Sequence, residues 1–79
     1  MNAEPTSAAS LHHAGVAAAL RGDLARATEL LEQAVRADAA LVDAWTDLAR
    51  VHLACKREDE ALRCFESAAR SGAASPRRP

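Results

Sequence analysis

An all-α fold of four helices follows from three features of the sequence. Ala, Leu, Arg and Glu dominate, and all four are good helix formers; Ala alone fills 21 of 79 positions. Residues that favour strands are scarce: four Val, no Ile, no Tyr, and just one Trp and one Phe. Turn-forming clusters interrupt the helical pattern at "RGD" (21–23), "RADAALVD" (36–43) and "CKRED" (55–59), leaving four segments of about a dozen residues.

Each segment has a start and a stop. The first helix is expected over 7–20. Thr6 or Ser7 can cap it, because a hydroxyl can accept from a free amide of the first turn, and Gly22 can end it in the left-handed conformation. Asp23 then caps a second helix over 24–37. Asp38 and Asp43 flank the start of a third, over 41–54, where Asp43 suits the positive end of the helix dipole. Glu58, Asp59 and Glu60 do the same for a fourth over 58–70, which Gly72 ends and Pro76 prevents from restarting.

Composition excludes several classes of function. Net charge is −1 with both signs interspersed. Residues 1–55 carry four Arg against seven acids, and 56–79 carry six Lys or Arg against four acids. A nucleic-acid surface would need a clustered basic face with aromatic stacking partners; "SPRRP" at the end reads as a flexible solvated tail. The start "MNAEPTSAAS" lacks a basic region and a long apolar run, so it does not read as a secretory signal. "AGVAAAL" is far short of the roughly 20 apolar residues that span a bilayer. Neither nucleic acid nor membrane is therefore expected as a partner. A cytoplasmic location with reduced thiols is expected, and heavy Ala and Arg usage points to a GC-rich bacterial genome. The expected organisation is a short arm (1–7), one domain (8–73) and a flexible tail (74–79).

"RGD" and "CKRED" stand 34 residues apart, which calls for a repeat test. Setting 11–39 on 45–73 gives five identities, three of them Ala on Ala. Size classes agree better than identities. Trp45, Leu48, Ala49, His52, Ala61, Phe65 and Ala68 form one series. Leu11, Ala14, Gly15, Ala18, Ala27, Leu31 and Ala34 form the other at the same offset. This series resembles the tetratricopeptide repeat, a 34-residue helix-turn-helix with the signature W-x2-L-G-x2-Y…A-x3-F…P. Trp45, Leu48, Ala61 and Phe65 match in the second copy, where Ala49 replaces Gly and His52 replaces Tyr. Gly15 and Ala27 match in the first, with Leu11, Ala14, Ala18 and Leu31 as smaller stand-ins. The terminal Pro is Ala39 in one copy and Ala73 in the other. The resemblance covers about 8–73, with repeats at about 8–41 and 42–73, and implies four antiparallel helices in two stacked helix-turn-helix hairpins. Ala27 and Ala61 would sit where paired helices cross closest, while Trp45 and Phe65 would fill the space between repeats.

The residues that could carry chemistry read more simply as packing. His52 and Cys55 lie three apart on one helix, with Cys64 on the next. Zinc needs four protein ligands in a structural site, or three plus water in a catalytic one, and these two or three candidates have no second tight pair. In the repeat register His52 faces the partner helix, and Cys55 continues that stripe as a small hydrophobe. A Cys55–Cys64 disulfide is disfavoured in a reducing compartment. His12 and His13, being adjacent, point about 100° apart on a helix and cannot share one ion. His13 could instead pair with Asp47, its equivalent one repeat on. No nucleophile-base order and no Gly-rich phosphate loop is present, so no enzyme, cofactor or metal site is expected.

Function then falls to the surface. The resemblance implies a groove lined by the first helix of each repeat, which takes a peptide or amphipathic helix of a partner protein. By register its lining is Ala9, His12, Val16, Ala19 and Leu20 from the first helix. Asp43, Thr46, Arg50, Leu53 and Ala54 come from the third. With no Lys and no Asn there, the carboxylate clamp known in the family is not expected. Two repeats are fewer than usually suffice for stability. Leu62 and Phe65, left partly uncovered on the last helix, are accordingly candidates for self-association, and a homo-oligomer is the alternative reading.

Overall fold

The computed structural model describes residues 7–73, with side chains described through Ser71. Thr6, Pro76 and the 74–79 tail lie outside the described residues. Four helices and no strand are present among those described: α1 (Ala8–Leu20), α2 (Leu24–Ala37), α3 (Val42–Ala54) and α4 (Glu58–Ala73). α1 packs on α2 and α3 on α4, and the two hairpins stack through α2 against α3.

The helix ends show how the sequence sets these boundaries. Ser7 caps α1, its hydroxyl accepting from the Ser10 amide at 3.1 Å. Gly22 closes α1 with φ +85°. Its amide donates to the Ala19 carbonyl and that of Asp23 to the Ala18 carbonyl, each at 2.9 Å, which satisfies two carbonyls that a helix C-terminus would otherwise orphan. The same motif recurs one repeat later without glycine. Lys56 adopts φ 64°, its amide donates to the Leu53 carbonyl at 2.9 Å, and the Arg57 amide reaches the His52 carbonyl at 2.8 Å. Asp23 caps α2 by accepting from the Arg26 amide. The start of α3 has no side-chain cap; Asp38 instead folds the preceding loop by accepting from the Ala40 amide at 3.0 Å, and Asp43 sits exposed in the first turn.

One boundary departs from expectation. α4 continues through Gly72 to Ala73, so Gly72 does not end it. A glycine inside a last turn costs about 1 kcal/mol relative to Ala and does not by itself break a helix.

The core is built on alanine. Ala18, Ala27, Ala34, Ala44, Ala49 and Ala61 are fully or almost fully buried, with Ala68 close behind. Methyl-sized side chains let the helices approach closely, and the closeness is greatest where Gly15 of α1 meets Leu31 of α2. A Cβ at Gly15 would stand 2.7 Å from Leu31 Cγ. Leu31 is the largest fully buried side chain, and its burial stabilises by roughly 2 kcal/mol.

Phe65, the equivalent of Leu31 in the second repeat, does not fill an inter-repeat space: it is 40 % exposed. α2 is sandwiched between α1 and α3, whereas among the described residues α4 has a neighbour on one side only. Trp45 does mark the repeat junction. It is half-buried, and its indole N–H donates to the Ala39 carbonyl at 2.8 Å. The Ser71 hydroxyl donates to the same oxygen at 2.9 Å.

Candidate interaction groove

α1 and α3 occupy the same place in their respective repeats, and the surface between them contains a cleft of about 200 Å³. Val16, Ala19 and Leu20 line it from α1, Leu31 from α2, and Asp47, Arg50 and Val51 from α3. The i, i+3, i+4 spacing of Val16, Ala19 and Leu20 puts all three on one face of α1. Leu20 is 84 % exposed, an unusual position for a leucine that lines an apolar cleft.

One wall is polar and internally paired. The imidazole Nε2 of His12 meets Asp47 Oδ2 at 2.7 Å, across the two helices. The other carboxylate oxygen of Asp47 faces the Arg50 guanidinium at 3.7 Å. His12 and Asp47 are largely buried, while Arg50 is 72 % exposed. Asp47 thus lies between His12 and Arg50, and Arg50 keeps most of its guanidinium toward solvent.

This corrects the pairing expected for His13, which is exposed and stacks on His12 with ring centroids 5.9 Å apart. Equivalent positions in neighbouring repeats are related by a shift along the stack, so they point the same way and do not face each other. Stepping back one residue turns the side chain by about 100°, which carries His12 toward α3.

Of the expected groove residues, Val16, Ala19, Leu20 and Arg50 come together in the cleft, and His12 joins them through Asp47. Ala9, Asp43, Thr46, Leu53 and Ala54 do not line it. Ala9 and Asp43 are exposed, Leu53 is exposed, and Thr46 is half-buried with its hydroxyl donating back to the Val42 carbonyl at 3.1 Å. Asp47, Leu31 and Val51 were not expected in the lining. The signal for Asp47 was available: it precedes Arg50 by three residues, so the two share a side of α3.

The thiols and His52 sit elsewhere. His52 is buried in the core, and its Nδ1 has no hydrogen-bond partner. Cys55 is half-buried and packs at the edge of the core, and Cys64 is buried; both are free. Burial, and secondarily the carboxylates of Glu60 and Glu32, push the Cys64 thiol above its ordinary range. Among the described residues no group of three or more His, Cys, Asp or Glu side chains is placed to hold a metal ion. No helix among them is long and apolar enough to cross a membrane.

Among curated proteins, none matches the chain. A family model described as tetratricopeptide repeat matches residues 18–77. The matched segment opens at the C-terminal end of α1 and takes in α2, α3 and α4, so it holds the better-matching second copy whole. With most of the chain matched and four helices stacked as two hairpins, this chain belongs to the tetratricopeptide repeat family.

Proposed function

We infer that this chain, as tetratricopeptide repeats do in general, mediates protein–protein interactions. The chain is then a non-enzymatic adaptor, chaperone-like factor or assembly factor, acting in the cytoplasm as one two-repeat domain over 8–73. In this reading the α1–α3 groove holds a peptide or amphipathic helix of another protein. The observation that carries it is the cleft itself: an apolar α1 wall of Val16, Ala19 and Leu20 faces a polar α3 wall of Asp47 and Arg50. An apolar side chain of the partner would enter beside Leu20, and an acidic group would engage the outward side of Arg50. Such helix-in-groove recognition relies on a few apolar anchors with charges at the rim. Ala9, Asp43, Thr46 and Leu53 would extend the contact beyond the cleft.

The test compares proteins retained by the wild-type chain with those retained by Leu20→Asp and by the Val16→Asp/Arg50→Glu double variant. Loss of a defined set of retained proteins, with unchanged circular dichroism, is expected. Retention of the same set would move the site away from this groove.

A second reading is favoured by one observation, the exposure of Leu62 (57 %) and Phe65 (40 %) on α4. There the chain mainly self-associates, and sedimentation equilibrium would show mass rising with concentration.

A further inference from the structure

The exposed face of α4 has an internal template. Counting outward from the α2–α3 loop, Val35 stands level with Ala44, Leu31 with Leu48, Thr28 with Val51, and Leu24 with Cys55. Leu31, Val35, Ala44, Leu48 and Val51 are all buried, and Leu24 and Cys55 pack against the same core. These residues belong to the buried sides of α2 and α3, the two helices through which the repeats stack. Moved one repeat along, the α2 face becomes Glu58, Leu62, Phe65 and Ala69 of α4. The α3 face, moved one repeat back, becomes Ser10, Ala14, Ala17 and Arg21 at α1. Glu58, Leu62, Phe65, Ala69, Ser10, Ala14, Ala17 and Arg21 are all exposed.

We propose that the α4 face of one copy docks on the α1 face of a second copy, head to tail, repeating the α2–α3 interface between molecules. This goes beyond the groove reading and gives the self-association reading a specific geometry, on which it rests. Two features identify the occupant. The first is charge. The apolar pair Leu24–Cys55 at the edge of the internal interface becomes Glu58 opposite Arg21 between copies, an attractive pair at the rim. The second is volume. Where α4 is larger than α2 (Leu62 for Thr28, Phe65 for Leu31), the α1 face is smaller than α3 (Ala17 for Val51, Ala14 for Leu48). Each large side chain thus meets a methyl. Packed interiors tolerate volume-conserving exchange far better than unmatched growth. The two faces differ, so the contact is heterologous and does not close on a two-fold axis; it extends from copy to copy.

The experiment blocks one face at a time, with sedimentation equilibrium as the readout and circular dichroism as the check on folding. Phe65→Asp closes the α4 face and Ala14→Arg closes the α1 face; neither residue lines the cleft. The wild-type mass should climb past two copies with concentration. Each blocked variant alone should stay at one 8.3 kDa chain. Their equimolar mixture should form a species of two chains, because each retains the face the other lacks. Glu58→Arg should weaken wild-type association by roughly three- to five-fold, the worth of an exposed ion pair, and adding Arg21→Glu should restore it. A wild-type chain that stays monomeric into the millimolar range overturns both the proposal and the self-association reading. Association that survives Ala14→Arg overturns the head-to-tail geometry alone, pointing to a symmetric α4–α4 contact, and so does a mixture that remains monomeric.

Discussion

Gly15→Ala is expected to destabilise the protein, although alanine is the better helix former. In the middle of α1 the added methyl gains about 1 kcal/mol of helix propensity. Against this, it would stand 2.7 Å from Leu31 Cγ, 2.9 Å from Cδ2 and 3.3 Å from the Leu31 backbone nitrogen. Leu31 Cγ and the Leu31 backbone nitrogen are tied to the α2 backbone and cannot swing aside as a free chain end would, so the helices must part. Overpacking of this kind costs about 1–3 kcal/mol, leaving a net loss of up to about 2 kcal/mol. At about 4–8 °C per kcal/mol for a domain of this size, a loss of that full size lowers Tm by roughly 8–16 °C. A double-mutant cycle isolates the cause. Leu31→Ala alone costs about 2–5 kcal/mol through the cavity it leaves, and in that background the Gly15→Ala methyl enters vacated space and stabilises. The assay is urea denaturation followed by circular dichroism, with the same concentration of a stabilising osmolyte in every sample to keep the weaker variants folded. Additivity of the two changes to within about 0.5 kcal/mol, or a gain in stability from Gly15→Ala alone, would falsify the close-approach argument.

Three further expectations concern single sites. Lys56→Gly should raise stability by about 0.5–1 kcal/mol, because a left-handed non-glycine residue costs about 1–2 kcal/mol, partly offset by the greater freedom of glycine in the unfolded chain; a thermal melt lowered by this change would refute it. His12→Ala should cost about 1–2 kcal/mol, the worth of a partly buried hydrogen bond to a charged group, while His13→Ala should change the urea midpoint little; equal effects would contradict the His12–Asp47 assignment. Cys55 should react with a thiol reagent well before Cys64, which waits for local opening. Because the folded pKa of Cys64 is raised, its protonated form contributes stability below the unfolded thiol pKa. That contribution is lost as pH rises through the folded value, so wild type should lose more stability than Cys64→Ala on the alkaline side, and parallel pH profiles would refute the point.

The parts of this fold that are legible in the sequence rest on local chemistry. Asp23 reads as a cap, Gly22 as a left-handed closing residue, and the buried alanines as crossing points, because each of those residues has few other reasons to stand where it does. Lys56 escapes such reading. Its backbone repeats that of Gly22, but lysine carries no signal for a positive φ; only the 34-residue offset could have suggested it. The His12–Asp47 bond was missed by one residue for a geometric reason. A repeat register aligns equivalent positions, whereas contact between repeats joins positions that face each other. Phe65 shows a third limit. The family pattern names the residue that belongs in an inter-repeat space, yet burial depends on what stands on the far side of the helix. The groove was legible as a stripe on α1 and less so on α3, where Asp43, Thr46, Leu53 and Ala54 fall outside the cleft that Asp47 helps to form.

The Ala39 carbonyl, which accepts from both Trp45 and Ser71, gives the chain a built-in gauge. Trp45 is the single tryptophan, and its indole N–H is anchored at the boundary between repeats, so its emission reports the state of that boundary together with the end of α4 beside it. If the second hairpin swings away from the first while both stay helical, the indole loses its acceptor and its half-buried setting, and the emission shifts before helical content falls. Fluorescence and circular dichroism transitions that coincide would describe one cooperative unit. A fluorescence change that comes first would describe two hairpins able to part like the leaves of a hinge.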